Sequence, residues 1–366
     1  TVTPGTGWGY HWSANGPVGT AANYVPLTWD AGATRYDDNP GTQGGTGEGW
    51  MNVNANGGHA PRGTGDIGSL GQDGYTIHAY TIQSGEAGNI ELTGMTRSGG
   101  GSGLDYRVYV NDTLIVNPAP TQNFNVRQSL GNVNVGDTVY VAIGPNGTDG
   151  SDGYQTDFTL NRTDNHNIVA DYRSDFQTGT PATGWTYQSN GQAIGDSANY
   201  TDLIWSAGLN SYNGDGGDPN PRPAPNNWVS LTATGGHPGP GDTQGDASGI
   251  DRYAIAGFTI ATDGNYEIFG QAGRTANGNG VDVEIYVNDA LIRGYGSINI
   301  ATFGESLGSL TAGDRVYVAV GPDTSDGGDS FLFDYSIAQV VPEPSTFALL
   351  TLGIVGLIRR RIRRRS

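Results

Sequence analysis

Tyr106-Arg-Val-Tyr-Val-Asn-Asp-Thr-Leu-Ile115 recurs 177 residues later as Val283-Glu-Ile-Tyr-Val-Asn-Asp-Ala-Leu-Ile292. In the first copy Tyr106, Val108 and Val110 alternate with Arg107, Tyr109 and Asn111. In the second, Val283, Ile285 and Val287 alternate with Glu284, Tyr286 and Asn288. Period-two alternation predicts a strand with one face toward a core and the other polar. Asn111-Asp112 and Asn288-Asp289 then supply turn chemistry ahead of a second apolar pair, which reads as a hairpin. The same alternation returns at Val139, Val141 and Ile143 around Tyr140, and at Val316, Val318 and Val320 around Tyr317.

Outward from these strands the repeat takes in almost the whole chain. Thr1 to Trp8 aligns with Thr178 to Trp185, Ala22-Asn-Tyr24 with Ala198-Asn-Tyr200, and Gly57-Gly-His59 with Gly235-Gly-His237. So many matches near one offset exclude chance and set the organisation. Residues 1–163 form one module, 164–340 a second, and 341–366 a tail. Gly (61 residues), Pro (18) and Tyr (19) are abundant while only 15% of residues are charged, a composition of short strands and many turns. The predicted fold is all-β: two tandem jelly-roll-like β-sandwiches. The segment 168–176 leads the second module as a candidate first strand. Nothing in the sequence before Trp8 matches it, so an equivalent strand and a signal peptide are expected ahead of Thr1 in a longer product.

The formal net charge is −18. Every basic residue is Arg, and before Pro342 only 12 Arg face 35 acidic residues. A surface so acidic repels nucleic acid and attracts divalent cations. Zero Cys rules out disulfides and thiol chemistry.

The tail has three parts in order. Pro342-Glu343-Pro344 comes first. An apolar stretch follows, with Phe347, Leu349, Leu350, Leu352, Ile354, Val355, Leu357 and Ile358. A basic cluster of Arg359, Arg360, Arg361, Arg363, Arg364 and Arg365 closes it. Twelve helical residues cover about 18 Å, short of a ~30 Å hydrocarbon core, so the stretch suits a transient transmembrane helix. The Arg cluster orients it with the basic end cytoplasmic. In this order the tail resembles the PEP-CTERM sorting signal of Gram-negative bacteria, also called the ice-binding protein C-terminal domain; ice binding does not follow from that second name. The resemblance implies an exosortase as partner, passage through the inner membrane as an anchored precursor, and delivery to the outer surface or matrix. The body modules resemble the uncharacterised repeats that precede such tails, which bears on fold more than on function.

Several residues are candidate sites. Asp149, Asp152 and Asp157, repeated as Asp326, Asp329 and Asp334, place carboxylates in and after a Gly-rich loop, as a Ca²⁺ site would need; the plain alternative is Asp favouring turn geometry. His59 and His237 read as loop histidines with local hydrogen bonds. Tyr109 and Tyr140, and Tyr286 and Tyr317, lie opposite the core faces of their strands. If each pair is adjacent and open, it forms an aromatic platform for a polysaccharide; if loops such as 40–65 cover it, the tyrosines are a second layer of core. No nucleophile motif or phosphate loop occurs, so no catalytic residue is assigned and the protein is expected not to be an enzyme. Three functions remain open: a surface or matrix protein whose modules bind exopolysaccharide, a structural spacer without ligand, and an unrecognised polysaccharide hydrolase. No cofactor other than calcium is suggested.

Overall fold

A computed structural model of the chain describes residues 4–14, 16–38, 51–66, 71–214, 229–240, 250–275, 280–325 and 329–341. In the first module one antiparallel sheet runs, in spatial order, Thr113–Val116, Asp105–Val110, Thr138–Gly144, Thr76–Thr81, Trp8–Trp12 and Val25–Pro26. The facing sheet runs Asn123–Val133, Gly88–Ser98, Gly153–Arg162, Gly57–His59, Asn52–Asn54, Arg35–Asp37 and Thr28–Asp30. The second module repeats both orders. Its registers match too: Val141 opposes Val108, and Val318 opposes Ile285. The all-β tandem sandwich expected from the repeat is the architecture found.

Local chemistry explains the recurrent motifs. Val108 and Val141 are fully buried between the sheets with Leu92 and Phe124, as are Ile285 and Val318 with Ile268 and Phe303. Burial of such side chains contributes roughly 1.5–3 kcal/mol each. Asn111 and Asn288 turn the hairpins at φ 53° and 52°, a left-handed conformation that Asn tolerates. Their side-chain oxygens accept from the backbone N–H of Thr138 and Arg315, both at 3.0 Å. The Gly-Gly-His repeat is steric in origin. A Cβ on Gly58 would stand 2.1 Å from the Asn52 carbonyl oxygen, and one on Gly236 2.0 Å from that of Ser230. His59 Nδ1 bonds the adjacent Ala60 carbonyl at 2.8 Å, and His237 makes the same local contact with Pro238.

The segment leading the second module departs from expectation. The strand spans His166–Asp171, pairing with Phe331–Val340, and does not extend to residue 176. Asp171 accepts from the Ser174 N–H at 2.9 Å and so caps a single helical turn, Tyr172–Asp175. Among the described residues no helix is long and apolar enough to cross a membrane. The tail residues Pro342, Glu343 and Pro344, the apolar stretch and the Arg cluster lie outside the described residues.

The modules meet face to face. Gly88–Ser98 of the first lies against Gly264–Arg274 of the second, its own repeat. Asn123–Val133 meets Phe331–Val340, and Gly153–Arg162 meets Ile300–Leu310, so the pairing is reciprocal about an approximate twofold axis. Small residues permit this approach: a Cβ on Gly273 would lie 2.5 Å from Met95 Sδ.

Candidate functional site

The predicted tyrosine pairs are adjacent. Tyr140 opposes Tyr109 and Tyr317 opposes Tyr286 across neighbouring antiparallel strands. The open platform, however, is not there. Tyr109, Tyr286 and Tyr317 are buried and Tyr140 is half-buried. Among the described residues the cover is a short loop, while residues 40–50 of the segment 40–65 lie outside them. Tyr24 packs edge-on to Tyr140 at 5.2 Å, and Tyr200 to Tyr317 at 5.3 Å. Tyr24 Oη accepts from the Gly19 N–H at 2.8 Å, and Tyr200 Oη from Gly195 at 3.1 Å, which pins each loop down. Asp112 accepts from the Ala21 N–H and Asp289 from the Ser197 N–H, both at 2.8 Å. The four tyrosines are a second layer of core, and the carbohydrate platform expected at Tyr109, Tyr140, Tyr286 and Tyr317 is corrected accordingly.

The carboxylates expected to share a cation are dispersed. Asp157 Oδ2 accepts from the Thr302 N–H at 2.8 Å, across the module junction. Asp334 is buried in that junction, with Arg173 at 3.1 Å and Arg127 at 3.8 Å. Burial pushes its carboxyl up to about 6, outweighing the two guanidinium groups that pull it down. Among the described residues no group of three His, Cys, Asp or Glu side chains is placed to hold a metal ion. Asp326 lies outside the described residues, and Asp329 is fully buried. Asp149 and Asp152 do stay together, joined by Asp66, which no local signal singles out. Asp66 Oδ2 accepts from the backbone N–H groups of Gly63 and Asp149, each at 2.7 Å. Asp152 is fully buried, and neither of its carboxylate oxygens has a hydrogen-bond partner. Gly101 closes over it, where a Cβ would lie 2.1 Å from Oδ1. Burial, followed by repulsion from Asp149 and Asp66, pushes the Asp152 carboxyl up to about 7.

A dense polar constellation lies where no residue was singled out from the sequence except Asp334. Arg127 Nε donates to Glu91 at 2.9 Å, and its Nη1 donates to Asp171 at 2.5 Å while facing Asp334. Asp171 also accepts from Ser336 Oγ at 3.2 Å. Nearby, Gln271 Nε2 donates to Asn125 Oδ1 and, at 3.1 Å, to the Val126 carbonyl. The available signal was scarcity: with 12 Arg against 35 acids before Pro342, an Arg beside more than one acid is a place where charge has to be shared.

One mouth of the first sandwich is open. A cleft of about 580 Å³ runs along its edge, lined by Trp8, Tyr80, Ile82, Phe158 and Leu160, with Glu86 and Arg162 at its polar side.

These features define a tandem β-sandwich protein with a C-terminal sorting tail. Residues 340–365 match the PEP-CTERM protein-sorting motif, so the chain carries that signal and is an exported protein. No curated protein matches it. Among solved structures it is similar to the tandem CBM51 modules of a family 98 glycoside hydrolase from Streptococcus pneumoniae SP3-BS71. Identity there is 8%, over 72% of this chain and 81% of that one, with a TM-score of 0.24. It is also similar to a glycosyl hydrolase family 2 member from Bacteroides cellulosilyticus DSM 14838, at 9% identity over 90% of this chain and 33% of that one, TM-score 0.29. A third is the ectodomain of the receptor-like kinase ANX2 from Arabidopsis thaliana, at 15% identity over 79% and 89%, TM-score 0.23. Likeness this loose says nothing of ligand or activity.

Proposed function

We propose that an exosortase recognises the tail, and that the body is released to the outer surface or matrix of a Gram-negative cell as a non-catalytic, rigid two-module spacer. The observation that supports a spacer is the module junction. Arg127 bridges Glu91 of its own module to Asp171 and Asp334 of the next, and Asp157 grips the Thr302 N–H. Modules joined by a free linker would need neither. Partly buried charge networks of this kind favour one relative orientation over many.

Intact-mass measurement of surface-extracted protein tests the sorting half. The expected species lacks the six Arg between 359 and 365; a chain still ending at Ser366 in exosortase-bearing cells would refute it. For the spacer half, small-angle scattering should return one fixed envelope across ionic strengths. Exopolysaccharide binding keeps no specific residue in its favour once the tyrosines are sealed. Retention on the native polymer would restore it and displace the spacer role.

A further inference from the structure

Three loops meet at one end of the first sandwich: residues 60–66, 99–103 and 145–152. Bonds between them hold the end shut. The Gly65 N–H donates to the Gly147 carbonyl at 2.7 Å, and Asn146 Nδ2 donates to the Ser102 carbonyl at 3.0 Å. Ser102 Oγ donates back to the Pro145 carbonyl at 3.1 Å. Within the last loop the Asp152 N–H donates to the Asp149 carbonyl at 3.2 Å. Asp66 Oδ2, accepting from Gly63 and Asp149 at 2.7 Å each, ties the first loop to the third.

The loops enclose a carboxylate that nothing in them neutralises. Asp152 is fully buried, and neither of its oxygens has a hydrogen-bond partner. Over Gly101 its Oδ1 converges with a main-chain oxygen: a Cβ there would lie 2.1 Å from Asp152 Oδ1 and 2.5 Å from the Gly150 carbonyl. Asp149 and Asp66 stand close enough to repel the charged form of Asp152. The enclosure therefore gathers oxygen acceptors and offers Asp152 no N–H or O–H donor. Buried charges persist where they are paired or bind a cation. The repeat keeps this carboxylate out of water in both copies, since Asp329 is fully buried as well.

We propose that this end of the first module binds a calcium ion, with the Asp152 carboxylate as its buried ligand and the Asp149 carboxylate and Gly150 carbonyl beside it. Asp66 acts as a positioning residue, since its bond to the Asp149 N–H sets the loop. The donors are all oxygen, which suits a hard cation and not zinc. Calcium accepts an irregular mixture of carboxylate, carbonyl and water, whereas magnesium demands near-ideal octahedral geometry. Asp149 is half-exposed, so water can complete the shell. Two carboxylate ligands place the site in the weak range of extracellular modules, with a dissociation constant of about 10⁻⁴–10⁻³ M.

The probe is calcium chloride added to the whole chain after treatment with chelator. Expected results are saturable binding and at least tenfold slower amide exchange at Asp149 and Asp152, whose N–H groups already close the loop. The melting midpoint should rise by roughly 2 °C at calcium tenfold above its dissociation constant. Asp152→Asn should abolish the local protection. Asp149→Asn, at a half-exposed position that leaves the core intact, should weaken binding at least fivefold, so the test stands even where the buried variant fails to fold. Unchanged exchange at Asp149 and Asp152 in 10 mM calcium overturns the proposal and leaves a proton as the partner of Asp152. So does equal protection of wild type and Asp152→Asn, or equal protection by magnesium, which would mark diffuse screening of an acidic surface.

Discussion

Asp152→Asn should stabilise the first module above neutral pH, contrary to the usual effect of altering a buried polar residue. The carboxyl is fully buried without a hydrogen-bond partner and titrates near 7, against 3.8 in an unfolded chain. Below about pH 4 both states are protonated and the group contributes nothing. Between about 4 and 7 the unfolded state ionises while the folded state keeps its proton. The folded state then binds more protons, so stability falls with rising pH by about 1.4 kcal/mol per pH unit. Above 7 both are ionised and the full cost, about 4 kcal/mol, is present. Asn removes the charge but keeps a buried amide that needs partners, returning about half of that: a gain of ~2 kcal/mol at pH 8, and a small loss at pH 4. Urea denaturation of wild type and variant at pH 4, 6 and 8, in chelator, measures both curves. For the single transition of the two coupled modules the gain at pH 8 corresponds to a melting shift of roughly 3 °C. Equal destabilisation at every pH would refute the assignment of an uncompensated carboxylate. Adding millimolar calcium probes the opposite case: if the wild type then gains stability that Asp152→Asn lacks, the carboxylate is neutralised by a cation and not by a proton.

Arg127→Ala leaves Asp334 buried beside Arg173 alone and strips Glu91 and Asp171 of their shared cation; it should cost about 3 kcal/mol and split a single calorimetric transition into two. A single unshifted transition would show that the network does not couple the modules. Tyr200→Ala uncovers Tyr317 and frees the Gly195 N–H, with an expected loss of about 3 kcal/mol in the second module, read by urea unfolding, and no change in retention on polysaccharide.

What the sequence disclosed and what it hid divide by distance along the chain. The hairpin at Tyr109 to Asp112 was legible because period-two alternation and an Asn turn are local signals. The adjacency of Tyr109 and Tyr140 stood only as a condition, since alternation on each strand does not say which strands pair. Their cover was not legible, because the loop that seals them is held by Asp112 from 91 positions away. Asp149 and Asp152 looked like turn residues; the burial of Asp152 depends on Gly101, which arrives from a separate loop. Arg127 and Asp171 belong to different modules, and nothing in either neighbourhood announces the other. The strand before Asp171 was foreseen, but its end was not: the Asp-Tyr-Arg-Ser-Asp run reads as a continuing strand until the Asp171 side chain is seen to cap Ser174.

Duplication accounts for which positions stayed alike. The motif Tyr-Val-Asn-Asp recurs because each residue has a separate task inside one module. Tyr fills the outer layer, Asn turns the hairpin, and Asp fixes the covering loop, with matching distances of 2.8 Å in both copies. The junction obeys a different rule. Each module presents the same face, so equivalent positions meet unlike surroundings once the copies are fused. Asp157 and Asp334 are equivalent, and both point across the junction. Asp157 receives a backbone N–H from Thr302, whereas Asp334 faces Arg127. The residue equivalent to Arg127 is Gly304. A symmetric pair of modules would carry Arg at both positions, and two more charges would have to be desolvated at the seam, each at several kcal/mol unless fully paired. Having Arg at one position and Gly at the other places a cation where Asp171 and Asp334 converge with Glu91. The asymmetry thus follows from the fusion itself, since the segment that leads the second module supplies Asp171 to the seam.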